Sequence, residues 1–342
     1  MMSPVKVVIA GIGGASLGTE IRKSLALCDG YEIIGCDISG TAYGLYEPGF
    51  QKTVKVSTDH YVDQVLAVCR SANAEFLIPG GEQPMRLLSA AAPVFAAEGI
   101  CLLGNAPSVV ALCSDKDKCF QYMNKAGIPI PRTITVEKED DLVSIGMPCI
   151  IKPATDSGGS VNVFFAVSTD EAMIYAGFIR RMGGVPVAQE YIDVKESEFT
   201  VGVLSDPDGN LIGSIALKRA LDAKLSVFYR GRGGIISSGY SQGHIGAYPS
   251  VCEQAERIAK QVGSRGPLNV QGRVRDGIFL PFEINPRFSA SSYLRAMAGF
   301  NEVDLLIRKL KTGTTPAIGA IKPGLYLRGL SELYVNEEDM RP

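Results

Sequence analysis

The groups best suited to chemistry cluster late in the chain. Between residues 278 and 287 the two-residue period of a strand places Ile278, Leu280, Phe282 and Ile284 on one face. Glu283, Asn285 and Arg287 fall on the other. The preceding stretch repeats the pattern, with Asn269, Gln271 and Arg273 opposite Val270 and Val274. A carboxylate and two amide oxygens on neighbouring strands are hard donors, suited to Mg2+ held jointly with phosphates. The solvated outer face of a hairpin is the plainer reading of the same alternation. A strict turn at Asp276-Gly277 would pair Gln271 with Phe282. Gln271 can face Glu283 only if the loop holds an odd number of residues or a strand carries a bulge, and that irregularity is expected.

Two further constellations invite an anion. Ile150-Ile151-Lys152-Pro153 ends an apolar strand on a lysine, followed by Ser157, Gly158, Gly159 and Ser160. A lysine there can pair with phosphate while backbone N–H groups of a small loop close over it. The P-loop pattern is absent, and an ordinary hairpin loop with a surface lysine fits equally. Gly11, Gly13 and Gly14 follow a strand and precede a helix, and Asp37 closes the next strand. That is the context of a dinucleotide site, but Ser16 stands where the third glycine belongs. A tight strand-to-helix turn is the simpler reading. Glu82, in Gly80-Gly81-Glu82-Gln83 at the end of a strand, is a candidate substrate contact as well as an ordinary helix-start acid. Lys218 and Arg219 form a basic pair after a strand, open to a phosphate role or to plain solvation.

The elements that must position these residues change character along the chain. Through about residue 105, β-branched runs such as Val5–Ala10 alternate with helical stretches, which predicts a doubly wound parallel α/β domain. Ser114 reads as the N-cap of a helix running to Ala126, with Asp117 at its third position. The pattern then becomes mixed α+β: a subdomain over about 134–215, another over about 216–330, and a tail over 331–342.

Composition narrows the class. The chain has 342 residues, 46% hydrophobic and 20% charged, so a sizeable core is expected and wholesale disorder is excluded. The formal charge of -2 carries no nucleic-acid footprint. Eight cysteines show no CxxC pair, and His60 and His244 stand alone, which predicts reduced core thiols in a cytoplasmic protein. The uncharged run 99–114 is shorter than a membrane span and is interrupted by Gly104, Asn105 and Pro107, and the opening residues read as a strand into glycines, not a leader.

Taken in order, the motifs resemble the ATP-grasp superfamily, and within it one ATP-binding half of the carbamoyl-phosphate synthetase large subunit. The matching residues are Ser114-Asp-Lys116, Pro148-Cys-Ile-Ile-Lys152-Pro with its glycine loop, and Gln189-Glu190-Tyr191-Ile192. Glu198-Phe-Thr-Val, Gly266-Pro-Leu-Asn269-Val-Gln271 and Glu283-Ile-Asn285-Pro-Arg287 with its continuation to Gly299 complete the set. The likeness spans roughly 105–312, preceded by what looks like the pre-ATP-grasp domain of that family. It implies that Lys116 and Lys152 contact ATP phosphates beneath a lid of Gly158, Gly159 and Ser160. It further implies an adenine pocket from Gln189, Glu190, Tyr191 and Ile192, and ribose hydroxyls donating to Glu198. Gln271, Glu283 and Asn285 would hold Mg2+ (or Mn2+), with Arg287 stabilising the transferring phosphoryl group. Where the family carries a His-containing segment, this chain has Phe228-Tyr-Arg230-Gly-Arg232, and Arg230 and Arg232 are candidates for a substrate carboxylate.

The function implied is that of a stand-alone ligase: ATP activates a carboxylate as an acyl phosphate, and an amine, expected to be that of an amino acid, displaces phosphate. Small-molecule partners are expected, without nucleic acid or membrane, and relatives of this fold are often dimers. Competing readings are an ATP-grasp kinase or carboxylase partner, an NAD-dependent dehydrogenase using the first glycine loop, and a non-catalytic ATP-binding protein.

Overall fold

Val5–Ala10 forms the central strand of its sheet because both of its faces are covered, which suits an unbroken apolar run. Val7 and Ile9 enter one core cluster while Val8 and Ala10 enter another. The computed structural model describes residues 3–14, 17–155, 160–193 and 197–341, so that Ser16, Ser157, Gly158 and Gly159 lie outside the described residues. Strands β1 (Val5–Ala10), β2 (Tyr31–Asp37), β3 (Lys52–Lys55), β4 (Phe76–Pro79) and β5 (Cys101–Leu102) form a parallel sheet in the order β3-β2-β1-β4-β5. Helices α1 (Leu17–Leu25), α2 (Tyr61–Ala72), α3 (Glu82–Ala90) and α4 (Ala92–Ala97) connect them.

Two helices follow where one was expected. α5 (Pro107–Ser114) ends on Ser114, and α6 (Lys116–Lys125) starts after Asp115. Asp115, extended at φ -102°, is the N-cap and accepts from the Lys118 N–H at 3.1 Å. Ser114 cannot cap because it sits in the last turn of α5, and a cap residue needs non-helical backbone.

A four-stranded antiparallel sheet comes next: β6 (Thr133–Thr135), β7 (Cys149–Pro153), β8 (Phe164–Ala166) and β9 (Pro186–Glu190), in the order β6-β9-β7-β8. Helix α7 (Thr169–Arg181) covers one face through Ala172, Ala176 and Ile179. The third sheet holds β10 (Glu198–Ser205), β11 (Leu211–Arg219), β14 (Gly243–Ile245), β15 (Pro267–Arg275), β16 (Ile278–Asn285) and β17 (Gly324–Tyr326). Its order is β16-β15-β10-β11-β14-β17, and a hairpin of β12 (Val227–Gly231) and β13 (Gly234–Ser237) stands apart from it. Helix α8 (Pro249–Val262) packs on this sheet through Ala255, Ile258 and Ala259.

The sheets are not independent. α9 (Ser292–Met297) and α10 (Glu302–Thr312) set Leu294, Phe300 and Val303 into the same core as Val7, Ile9 and Ile21 of the parallel layer. The last segment returns to that layer: the Tyr43 and Ser331 hydroxyls lie 2.8 Å apart, and the Arg341 N–H donates to the Tyr46 hydroxyl at 3.0 Å.

Candidate active site

The cleft between the second and third sheets is built around a register irregularity. Asp276 and Gly277, with φ of 53° and 75°, make a two-residue turn that pairs Arg275 with Ile278. The mirror-image turn needs positive φ at both positions, which Gly277 tolerates freely and aspartate better than most. Between Gln271 and Gly272 the register shifts, so Gly272 pairs with Pro281 and Gln271 with Glu283. Phe282 is the extra residue, and Asn269 then faces Asn285. Of the two expected irregularities, an odd loop or a bulge, the bulge is the one present, and it also redistributes the apolar side chains. Phe279 joins Ile284 in the core cluster beneath α8, Leu280 is buried outside that cluster, and Phe282 lines the cleft instead. A bulge reverses the alternation beyond it, so one period of two cannot describe the whole strand.

The unpaired backbone of Phe282 has a use. Lys152, at the end of β7, donates from Nζ to the Phe282 carbonyl at 2.9 Å and to Gln189 Oε1 at 2.8 Å. Lys116 opens α6 nearby, its backbone N–H donating to the Ala154 carbonyl at 2.8 Å. Both lysines are buried, 5% and 8% exposed, and both line the cleft. Burial, with the Lys116 ammonium beside it, pulls Lys152 down to about 7. Among the described residues, neither of these two buried lysines has a carboxylate at bonding distance, and together they suit an anion.

Across the cleft, Gln271 Nε2 donates to Glu283 Oε2 at 2.8 Å, and Asn285 Nδ2 is buried without a partner among the described residues. A carboxamide is a two-faced group, so turning it presents oxygen where nitrogen now lies. Asn269 is different: its Oδ1 accepts from Arg295 Nη2 at 2.7 Å and from the Thr200 hydroxyl at 2.9 Å. Arg295 is fully buried, bound to Glu302 at 2.9 Å, and a Cβ at Gly202 would collide with its guanidinium. This positioning network escaped sequence reasoning; its signal was a lone arginine inside the otherwise apolar stretch 293–298.

The segment from Gln189 to Ile192 lines the same cleft. Glu190 is held by Arg275 at 2.7 Å and Arg132 at 3.2 Å. Tyr191 lies under the Arg273 guanidinium, 4.9 Å from its ring centre, and accepts from the Ile235 N–H at 2.8 Å. Arg273 also donates to Glu198 Oε2 at 2.9 Å and to the Ile192 carbonyl at 2.7 Å. Glu198 is fully buried, and its Oε1, 3.6 Å from Arg219 Nε, accepts no hydrogen bond among the described residues. Arg219 is thus a buried ion-pair partner rather than half of a solvated basic pair. Ser160 lines the cleft and donates to the Ser237 carbonyl at 2.7 Å.

The remaining candidates divide between this cleft and other places. Arg287 lines the cleft, with Nη1 donating to the Phe288 carbonyl at 2.9 Å. Glu82 lines an adjoining crevice with Lys116, Glu283 and Asn285. Arg230 and Arg232 are not brought to the cleft: the first bonds the Leu221 carbonyl and the second Glu171 of α7. In the first glycine loop, Asp37 accepts from the Ile12 N–H at 2.6 Å and the Ser39 N–H at 3.0 Å, so the loop occupies its own acid. A Cβ at Gly18 or Gly80 would strike the Gly11 carbonyl, so these glycines serve close backbone packing. Burial pushes the Cys69 and Cys149 thiols up to about 12, as inert core residues require. Among the described residues no group of three or more His, Cys, Asp or Glu could hold a metal, and no helix is long and apolar enough to cross a membrane.

Fold and cleft together define an ATP-grasp architecture, and the ATP-grasp domain model matches residues 113–291. The chain belongs to the ATP-grasp family. It is 24% identical over 307 residues to the carbamoyl phosphate synthase large chain of Vibrio vulnificus, covering 82% of this chain and 26% of that one. With that of Methanothrix thermoacetophila it shares 25% over 244 residues, covering 69% and 22%. The chain thus spans about a quarter of the length of these relatives. Among solved structures it is similar to an L-amino acid ligase from Bacillus licheniformis, with TM-score 0.65 and 16% identity over 90% of this chain and 74% of that one. It is also similar to a biotin carboxylase from Campylobacter jejuni, with TM-score 0.69 and 18% identity over 93% and 73%. A D-alanine–D-alanine ligase from Bacillus anthracis gives TM-score 0.59 and 17% identity over 90% and 97%.

Proposed function

We infer that this protein is an ATP-dependent ligase that activates a carboxylate as an acyl phosphate and joins it to an amine, releasing ADP and phosphate. The observation that carries the reading is one cleft lined by two buried lysines with Gln271, Glu283 and Arg287, and an adjoining crevice where Asn285 joins Lys116 and Glu283. Membership of the ATP-grasp family supports it, as does the likeness of the fold to two amino-acid ligases. On this reading residues 1–105 form the layer that supplies Glu82 to the substrate. Residues 106–330 form the nucleotide cleft, with 134–215 carrying Lys152 and 216–330 the donor set, and 331–342 follow as a tail.

Lys116 and Lys152 bind the phosphates, and Ser160 marks the near end of the loop whose Gly158 and Gly159 lie outside the described residues. The adenine lies along Gln189, Glu190, Tyr191 and Ile192, and the free Oε1 of Glu198 accepts from ribose hydroxyls. Gln271, Glu283 and Asn285 offer hard oxygen donors that fit Mg2+ or Mn2+, which would neutralise phosphate charge when bound. A carboxylate oxygen attacks the γ-phosphorus and ADP leaves; the amine then attacks the acyl carbon, and phosphate departs with that oxygen. Arg287 stabilises the transferring group by its charge, and most of the acceleration comes from positioning and electrostatics. Arg230 and Arg232, bonded elsewhere, have no part in this scheme. The first glycine loop already uses both oxygens of Asp37 for its own backbone, which weighs against a dehydrogenase reading.

The test is a screen of carboxylates against L-amino acids for ADP release, repeated with 18O-labelled carboxylate. Release that needs both partners, with the label appearing in phosphate, is the expected result. ADP release indifferent to the amine would replace the ligase by a kinase.

A further inference from the structure

A second polar cleft lies beyond the nucleotide cleft, between the parallel layer and the returning chain end. Gly13, Thr19, Glu20, Lys23, Tyr43 and Arg328 are among its lining residues. Glu20 is 1% exposed. Its Oε1 is taken by Arg328 Nη1 at 2.9 Å and Lys23 Nζ at 3.0 Å, whereas Oε2 is buried with no partner among the described residues. A carboxylate oxygen left without a donor in that setting is costly, and a ligand N–H would remove the cost. Arg328 also bonds the Ala290 carbonyl and, at 3.4 Å, the Ser241 carbonyl, and both residues line the nucleotide cleft. The two clefts therefore share a wall.

Formal charge narrows the occupant. Glu20 and Asp37 are balanced by Lys23 and Arg328, and both oxygens of Asp37 are already engaged by backbone N–H groups. A net-neutral pocket with one buried, unpartnered acceptor and one partly exposed ammonium suits a zwitterion better than a polyamine or a phosphate. We propose that this cleft is the amine-substrate subsite and takes a free α-amino acid, its ammonium donating to Glu20 Oε2 and its carboxylate facing Lys23. The assignment rests on the ligase reading above.

The experiment measures thermal stabilisation of the full chain. The additions are a non-hydrolysable ATP analogue with Mg2+, then each of the common L-amino acids, then the N-acetyl and methyl ester forms of any that act. At least one free amino acid should raise Tm, its N-acetyl form should not, and Glu20→Gln should weaken the effect roughly tenfold or more while the nucleotide shift stays. Lys23→Met, at a partly exposed position, should weaken the amino acid but not its methyl ester, and it decides the matter if Glu20→Gln fails to fold. A nucleotide shift with no response to any amino acid, or an amino-acid response unchanged in both variants, overturns this subsite and leaves the ligase reading standing. Loss of the nucleotide shift in the parent protein overturns both.

Discussion

Lys152 shows how much one side chain can report. Its two acceptors, Gln189 Oε1 and the Phe282 carbonyl, are neutral, and burial and the repelling Lys116 outweigh the attraction of Glu283. The folded protein without nucleotide holds this ammonium at about 7 against an ordinary 10.5. The folded state therefore disfavours the charged form, and stability of the free protein should rise as pH climbs from about 7 toward 10.5. Lys152→Met should remove that dependence and raise Tm by a few degrees while abolishing nucleotide binding. Phosphates arriving beside the amine raise its pKa again. Binding at pH 8 should take up close to one proton per nucleotide, and affinity should fall above pH 7 by up to about tenfold per unit. Calorimetry in buffers of different ionisation enthalpy measures the uptake; none at pH 8 would mean Lys152 does not meet the phosphates. The residue types here were legible from their spacing. Their partners were not, because Arg295 and Arg273 act through contacts with Asn269 and Ile192 that are remote in sequence.

Among the elements, the hairpin of β15 and β16 joins sequence and site most directly. The conflict of parity between a strict two-residue turn and a Gln271–Glu283 pairing announced either an odd loop or a bulge, and the structure keeps the two-residue turn and takes the bulge. Which residue bulges, and that its carbonyl would hold Lys152, depends on the facing sheet and could not be read locally. Removing Phe282 would restore a regular ladder, still pairing Gln271 with Glu283 and Asn269 with Asn285. Such a variant should keep its far-ultraviolet spectrum and fold, yet bind nucleotide at least about tenfold more weakly for want of one lysine acceptor. Unchanged affinity would remove the bulge from the site's design. The helix boundary at Asp115 was misread for a local reason: Ser114 and Asp115 are both good cap residues, and only the preceding α5 decides between them.

For the whole molecule, the alternating strands and helices of the first hundred residues disclosed a doubly wound layer but not that half of its core lies elsewhere. Val7, Ile9, Ile21 and Leu25 pack with Leu294, Phe300, Val303 and Leu306. No periodicity within 1–105 distinguishes a face covered by its own helices from one covered by α9 and α10. A fragment of residues 1–105 should accordingly expose that face and fail to give a cooperative melt, whereas the full chain should melt in a single transition. A fragment as stable as the intact protein would separate the layer from the rest.

The central claim is that the cleft between the second and third sheets binds ATP with a divalent cation through Glu283. The measurement that meets it most directly is calorimetric titration with a non-hydrolysable ATP analogue, with and without Mg2+, in the parent and in Glu283→Gln, beside NAD as control. Mg2+-dependent binding of the analogue, weakened in Glu283→Gln and absent for NAD, is the expected result. Binding of NAD without any binding of the analogue, or analogue binding equal in parent and variant at all Mg2+ concentrations, would contradict it.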